Sequence, residues 1–530
     1  MSLNKTYLIL NLHAHLPYIP PSANGTLEEN WFFEAVVESY IPLIKMMETL
    51  SDEGIRPGLT LSISPTLGAM LENEEMEKKL RKYVSSRLAL CEKEMETSRD
   101  QRVSGVILMY KSLYEAAMET LLKYSGDLIT PLKRFQHNSQ IEIITTSATH
   151  AVLPLLSHRE AVKAQIATAC EDYRDRFNRE TAGFWLPECA YSPGLEKELK
   201  LSNIKYFFLE SHAAGHSFAN SVFSSYSSGD GLNYFFRDSE SSRMVWSSSF
   251  GYPGNGAYRE FYRDIGYDRD TSYLREYTGT EFRIPTGLKY FRISGHNVPL
   301  DKKEIYDYEE AQRAVEKDAS DFLSRIMARS AKVYEKTGIR PLIVNCFDAE
   351  LFGHWWFEGP EFLENVIRKI RQERLPVQIV TPGEYMGLSP SSQAQTPGVS
   401  SWGEKGYFDP WLDEKNDFIY PTLYEVTARM VKLADRHKNQ DLPHLTRRAL
   451  NQLGREILLA QSSDWPFMMY TGPHKEYANK RFLGHIENAV SLIEGISEKK
   501  IDEKKLLSLE KENNVFQRID FRIFCSGTSF

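Results

Sequence analysis

The sequence predicts an α/β protein built on a parallel sheet, closed as a barrel or doubly wound, with a helical insertion and a helical C-terminal domain. Three observations predict it. Seven short apolar runs recur through residues 7–381, with helical stretches between them. Each run is continuously apolar rather than alternating, as in strands buried on both faces. Beyond residue 402 the strand-like runs stop and apolar residues take helical spacing.

In chain order, the runs are 7–12 (YLILNL), 58–64 (GLTLSIS), 141–146 (IEIITT), 182–186 (AGFWL), 204–209 (IKYFFL), 342–347 (LIVNCF) and 377–381 (VQIVT). Between the second and third, residues 72–137 are charged and helical in pattern (EEMEKKLRKYVSSRLALCEKEMETS), which predicts a helical insertion. Residues 213–300 are rich in Gly, Ser and Tyr and read as long loops over one end of the sheet. GLSPSSQAQTPGVSS, residues 387–401, has the composition of a linker. TRRALNQLGREILLAQ and EYANKRFLGHIENAVSLIEG then carry apolar residues at helical spacing, including Leu450, Leu453, Ile457 and Leu458. The expected division is therefore a catalytic domain over 1–386, a linker over 387–401 and a helical domain over 402–530.

Composition narrows the function. The 530 residues carry a net charge of −8 with no basic block, which disfavours nucleic acid as a partner. There are 28 Tyr, 28 Phe and 8 Trp; a large aromatic core uses most of them, and flat uncharged ligands such as sugars suit the rest. Five scattered cysteines (Cys91, Cys170, Cys189, Cys346, Cys525) without a CxxC predict a reduced cytosolic protein and no structural zinc. The apolar run YLILNL is too short for a signal peptide, and no later run has the roughly 20 residues of a membrane span. A soluble cytoplasmic monomer without cofactor or metal is expected.

Loops leaving the C-terminal ends of parallel strands build the sites of such folds. In GFWLPECAYSPGLE, residues 183–196, Glu188 sits among Trp185, Leu186 and Pro187, where an acid must be paired, protonated or at work. Asp348 ends another run in CFDAELFGHWWFEGP, ahead of Phe352, Trp355, Trp356 and Phe357. Two carboxylates flanking a bound sugar are what glycosidic cleavage needs, and aromatic walls both stack on sugars and raise a carboxyl pKa. Either acid alone is more readily a salt-bridged or capping residue, and it is the two together, at matching strand ends, that point to catalysis. A rival reading uses histidines. His13 and His15 alternate at the end of the first strand and His150 ends the third, so the three, with Asp348, could hold a metal in a deacetylase-like hydrolase. No HExxH or dense His/Asp cluster supports it.

These segments resemble glycoside hydrolase family 57, and within it the α-1,4-glucan branching-enzyme-like branch. LNLHAHLPYI, ATHAVLPLL, GFWLPECAY and FDAELFGHWWFEGP resemble four of its motifs. YREFYRDIGYD, SSWGEKGYFDPWLDEKND, SSDWPFMMYTG and ENNVFQRIDFRIF resemble further blocks of the branch, so the likeness runs nearly end to end. The resemblance implies a (β/α)7 barrel and a retaining reaction with Glu188 as nucleophile and Asp348 as general acid/base. It also implies that His13, His15 and His150 line the donor-sugar site and that Arg259 holds a polar partner. Trp185, Trp356, Trp402, Asp464 and Trp465 would complete the cleft, although Trp356 and Trp465 could be core residues and Asp464 a helix cap. The expected substrate is an α-glucan (amylose, glycogen or maltooligosaccharide).

One departure stands out. Between His212 and Arg237 the chain reads AAGHSFANSVFSSYSSGDGLNYFF, shorter and richer in Ser than the branching-enzyme pattern, which places a loop tyrosine over the acceptor side. Tyr226, Tyr234 and Tyr252 are the candidates for that tyrosine. A shorter lid admits water and favours hydrolysis. Three readings therefore stand: a branching enzyme, an α-amylase-like hydrolase or 4-α-glucanotransferase, and a glucan-binding protein with weak or lost catalysis.

Overall fold

A computed structural model describes residues 6–22, 26–215, 222–228, 231–295, 297–389 and 396–527. Among the described residues, nine strands form two sheets: β1 (Thr6–Ala14), β2 (Thr60–Ile63), β3 (Glu142–Ile144), β4 (Gly183–Phe184), β5 (Tyr206–Leu209), β6 (Ser225–Ser227), β7 (Asn233–Phe236), β8 (Leu342–Asp348) and β9 (Val377–Ile379). One sheet runs β3-β2-β1-β8 and the other β4-β5-β7-β6. Two seams join them. Thr145 bridges Phe184 in parallel, and the Asp238 N–H donates to the Val344 carbonyl at 2.7 Å. The result is a closed barrel of seven parallel strands, β1-β2-β3-β4-β5-β7-β8.

The seven staves differ by one from the seven apolar runs. β9 pairs with Thr6–Leu8 at the start of β1, whereas β2 pairs with Asn11–Ala14 at its end, so the run 377–381 buttresses the bottom of the barrel. The missing stave is β7, NYFF, inside the segment read as long loops. Four residues between Gly/Ser-rich flanks are too short a run to register as a strand. β6 folds back on β7 as a hairpin.

Strand alternation fills the barrel. Tyr7 and Ile9 of β1, Tyr206 and Phe208 of β5, Phe235 of β7, and Leu342, Val344 and Cys346 of β8 form one buried cluster with Ile144 and Trp185. Continuing the same alternation upward puts His13 and Asp348 in the top layer, and the two are register partners. The opposite faces of β1, β2, β3 and β8 pack against surrounding helices in a larger core, and those of β4, β5 and β7 in a smaller one.

Between β2 and β3 lie the helices Glu74–Thr97, Gln101–Lys123 and Ile129–His137, the first two capped by the side chains of Asn73 and Asp100. After β9 the chain is helical, with helices at Ile419–His437, His444–Ala460, Asp464–Thr471, Lys475–Ser497 and Glu503–Glu512. Residues 390–395 of the expected linker lie outside the described residues. Among the described residues, no helix is long and apolar enough to cross a membrane.

Candidate active site

The turn after β4 lifts Glu188 over the barrel mouth. Glu188 and Cys189 take left-handed φ values of 59° and 51° in succession, a strained arrangement for residues with a Cβ. Strain of this kind persists only where the surroundings enforce it. Here the segment 400–402 does so: Tyr191 and Ser400 exchange backbone hydrogen bonds at 2.8 and 3.2 Å, and the Trp402 N–H donates to the Glu188 carbonyl at 3.0 Å. The carboxylate is gripped as well. Trp402 Nε1 donates to its Oε2 at 2.8 Å, and Ser463 Oγ donates to Oε1 at 3.0 Å.

Asp348 ends β8 in a different electrostatic setting. Among the described residues none donates a hydrogen bond to its carboxyl, and burial together with the charge of Glu350 pushes its pKa well above the usual range against a weaker pull from Arg237. Burial also raises Glu188, to about 7, with the charge of Asp348 adding to the shift and the Trp402 and Ser463 donors opposing it. Donors on one carboxyl and none on the other push the two apart, toward an ionised Glu188 and a protonated Asp348.

Glu350 is held by the 350–354 turn. Tyr40 donates to its Oε1 in a short hydrogen bond, and the His15 N–H donates to the same atom at 3.1 Å. Tyr40 closes a five-residue π-helical turn, Val36–Tyr40, of a kind frequent at functional sites. Ser39 Oγ of that turn donates to the Glu350 carbonyl at 3.4 Å and accepts the His354 N–H at 3.0 Å. Gly353 makes this docking possible: its φ is 113°, and a Cβ there would lie 1.7 Å from the Glu38 carbonyl oxygen.

The three histidines do come together, stacked ring on ring. His15 and His150 centroids are 3.9 Å apart, and those of His13 and His150 4.8 Å. His13 Nε2 meets His150 Nε2 at 2.8 Å, His13 Nδ1 meets Ser62 Oγ at 3.0 Å, and His150 Nδ1 meets Ser463 Oγ at 2.7 Å. His13 and His150 thus spend all their ring nitrogens within the protein, which removes them from direct binding of sugar hydroxyls in this arrangement. Their nitrogens face one another rather than a common ion, and among the described residues no group of three His, Cys, Asp or Glu side chains is placed to hold a metal. His15 keeps an unpartnered Nδ1, while its Nε2 faces Asp464 Oδ2 at 3.0 Å. Asp464 is consequently not a side-chain cap; its carboxylate serves His15 and accepts from Ser462 Oγ at 2.6 Å.

Four expected cleft residues are core. Trp185 is 0% exposed and forms the floor beneath His13 and Trp402, with centroids 5.3 and 5.0 Å away. Trp356 packs against Phe352, Tyr258 and Phe362, so it is no stacking wall for a sugar. Trp465 is buried with its Nε1 donating to the Leu459 carbonyl at 2.8 Å, inside the C-terminal helices. Arg259 does hold polar partners, donating to the His354 carbonyl at 2.8 Å and lying 3.5 Å from Glu38, but its side chain is fully buried behind the 350–354 turn. In each case the resemblance that implies an aromatic or a cation near the site does not say which face of the turn its side chain occupies.

The accessible aromatics are others. Trp246 and Trp355 are 41% and 44% exposed; Trp246 stacks near Trp402 at 6.1 Å and meets Trp355 edge-on at 6.0 Å. The tyrosines proposed for a lid are elsewhere. Tyr226 and Tyr234 stack on each other within the β6–β7 hairpin, and Tyr252 donates to Asp321 at 2.8 Å with its ring on Phe362. Residues 216–221 and 229–230 of the shortened segment lie outside the described residues. Sequence reasoning also missed Arg237, which leaves the unrecognised β7 to pair with Glu210 and lie 5.6 Å over the Trp402 ring. Ser463 was missed too, since a serine carries no patterning signal.

A carboxylate whose pKa is raised to about 7 from an unfolded value of 4.5 costs the fold stability at neutral pH. The cost is absent below the unfolded pKa, grows as pH rises from 4.5 toward about 7, and is full above that. At pH 8 the cost is on the order of 3 kcal/mol. Glu188→Gln is therefore expected to melt at a higher Tm than wild type at pH 8, with most of the difference gone near pH 5. Calorimetry across that range checks it; a difference independent of pH would show that Glu188 is not perturbed.

Residues 9–399 match the profile of glycosyl hydrolase family 57, and residues 422–524 match that of the 1,4-alpha-glucan branching enzyme C-terminal region. The chain is 32% identical to the 1,4-alpha-glucan branching enzyme of Thermococcus kodakarensis, over 97% of this chain and 78% of that protein. Among solved structures it is similar to an alpha-amylase of Thermotoga maritima, with a TM-score of 0.91, 36% identity and coverage of 98% of this chain and 99% of the other. The GH57-type branching enzyme of Pyrococcus horikoshii superposes with a TM-score of 0.89 at 30% identity, over 99% of this chain and 98% of the other. A barrel of seven parallel strands, the Glu188 and Asp348 motifs and these near full-length likenesses agree: the chain belongs to glycosyl hydrolase family 57.

Proposed function

We propose that the protein is a retaining 1,4-α-glucan branching enzyme in which Glu188 is the nucleophile and Asp348 the general acid/base. The glycosyl-transfer chemistry rests on the carboxyl pair, one acid gripped by two donors and the other buried beside Glu350 with none among the described residues. Glu188 attacks C1 of the donor glucose while Asp348 delivers its proton to the departing O4, giving a glucosyl ester on Glu188. Asp348, now a carboxylate, takes the proton of a glucan 6-hydroxyl as that oxygen attacks C1 and frees Glu188. The choice of a 6-hydroxyl as acceptor is supported by the match of residues 422–524 to the branching-enzyme C-terminal profile.

The catalytic domain spans 1–386 and the helical domain 402–530, joined through 387–401. Trp402 and Asp464 from beyond the linker, with His15, shape the donor site, and Trp246 and Trp355 offer accessible rings to glucan. The enzyme acts as a cytoplasmic monomer on amylose, glycogen or maltooligosaccharides, and its five buried cysteines, which form no disulfide among the described residues, suit a reducing compartment.

The second reading, an α-amylase-like hydrolase, is favoured by the likeness to the Thermotoga maritima enzyme and by the short 213–236 segment. Incubation with amylose in the presence of EDTA separates the readings. New α-1,6 linkages with few net reducing ends are expected. Reducing ends without branches would establish hydrolysis instead, and bound glucan without turnover would leave a binding protein.

A further inference from the structure

Glu188 is the end of a buried chain of hydrogen bonds drawn from four parts of the fold: Ser62 on β2, His13 on β1, His150 after β3, and Ser463 at the start of the helix Asp464–Thr471. The links measure 3.0, 2.8, 2.7 and 3.0 Å in that order. His13 and His150 are 1% and 3% exposed. Burial, with the neighbouring imidazoles, holds the pKa of both well below the ordinary histidine value, so both rings are neutral.

Neutral rings give the chain one direction. An ionised Glu188 can only accept, so Ser463 donates to it and must accept from His150 Nδ1–H. His150 then has a bare Nε2, which accepts from His13 Nε2–H, and the bare Nδ1 of His13 accepts from Ser62. Every proton along the chain is placed by the charge at its end. The direct His150 Nδ1 to Glu188 Oε1 separation is 3.5 Å, too long for a good hydrogen bond, so the serine hydroxyl is the link that counts.

We infer that Ser463 is a positioning residue for the Glu188 nucleophile, and that Ser62, His13 and His150 act through it as a one-way relay that aims its hydroxyl at the carboxylate. His13 and His150 thereby serve as tautomer-locked scaffolding rather than as hydroxyl ligands. With Trp402, both donors on the nucleophile come from beyond residue 386, so docking of the C-terminal region completes the nucleophile. The inference rests on the reading of Glu188 as nucleophile.

The test is Ser463→Ala beside Ser463→Thr, followed by fluoride release from α-maltosyl fluoride across pH, an assay that scores cleavage whether water or a glucan serves as acceptor. Ser463→Ala is expected to lower kcat about ten- to a hundred-fold, the value of a hydrogen bond to a charged group, with KM little changed. Its acid limb should move to higher pH, because the lost hydroxyl favoured the ionised form. Ser463→Thr should restore both. The other titratable groups facing Glu188 stay in place: His150, Asp348, Asp464 and Cys189, and behind them His13, His15, Glu350, and Arg237 with its partner Glu210. Should Ser463→Ala not fold, Ser62→Ala is expected to move the limb in the same direction by less. An unmoved acid limb in whichever variant folds, or failure of threonine to restore it, would overturn the inference while leaving the nucleophile reading intact. A wild-type protein that releases no fluoride would remove that reading and the inference with it.

Discussion

Glu188→Gln is expected to lower kcat on amylose by about 10³- to 10⁶-fold while glucan affinity is kept. The amide preserves the volume and still accepts from Trp402 Nε1, so the turn at 187–189 keeps its shape. What it cannot do is bond to C1. Its amide nitrogen also faces Ser463 as a donor, which turns the hydroxyl away toward His150. Turnover with amylose and isothermal binding of a maltooligosaccharide, measured side by side, check this. Weakened binding in step with turnover would assign Glu188 to holding the substrate instead. In the wild type, the acid limb of the pH profile is expected near the Glu188 value of about 7, with activity rising as the carboxylate forms.

Asp348→Asn is expected to cost about 10²- to 10⁴-fold on amylose, the usual worth of a general acid, and far less for glycosylation by a substrate that needs none. Fluoride leaves without a proton, so α-maltosyl fluoride should still load Glu188. The second step then stalls, because no carboxylate is present to deprotonate the acceptor. A burst of about one fluoride per enzyme, and a peptide carrying one maltosyl unit on Glu188, are the expected readouts. Equal losses on both substrates would show that Asp348 does not act as the acid. The alkaline limb of the wild-type profile should vanish in this variant, since burial beside Glu350 is what holds Asp348 protonated at pH values where Glu188 is ionised.

Much of this was legible along the chain, because parallel strands buried on both faces leave continuous apolar runs. All seven runs became strands. His13 and Asp348, read as lying at strand ends, do sit at the barrel mouth and are register partners. β7 escaped because its four residues sit among Gly and Ser, and with it went Arg237, which lies 5.6 Å over the Trp402 ring. Trp356 and Trp355 are neighbours with opposite fates, one wedged among Phe352, Tyr258 and Phe362 and the other half in solvent. Sequence spacing cannot separate them, because a tight turn has no period.

The sequence by itself determined the fold class and the family and singled out the two acids as candidates, since each is written in local runs and motifs. Only the tertiary structure decided the state of those acids. The Trp402 and Ser463 donors reach Glu188 from 214 and 275 residues away, and the His13–His150 contact closes a gap of 137. A carboxyl pKa is set by burial and by the donors and charges within a few ångströms. Those neighbours are brought together by barrel closure and C-terminal docking, which no local stretch of chain records.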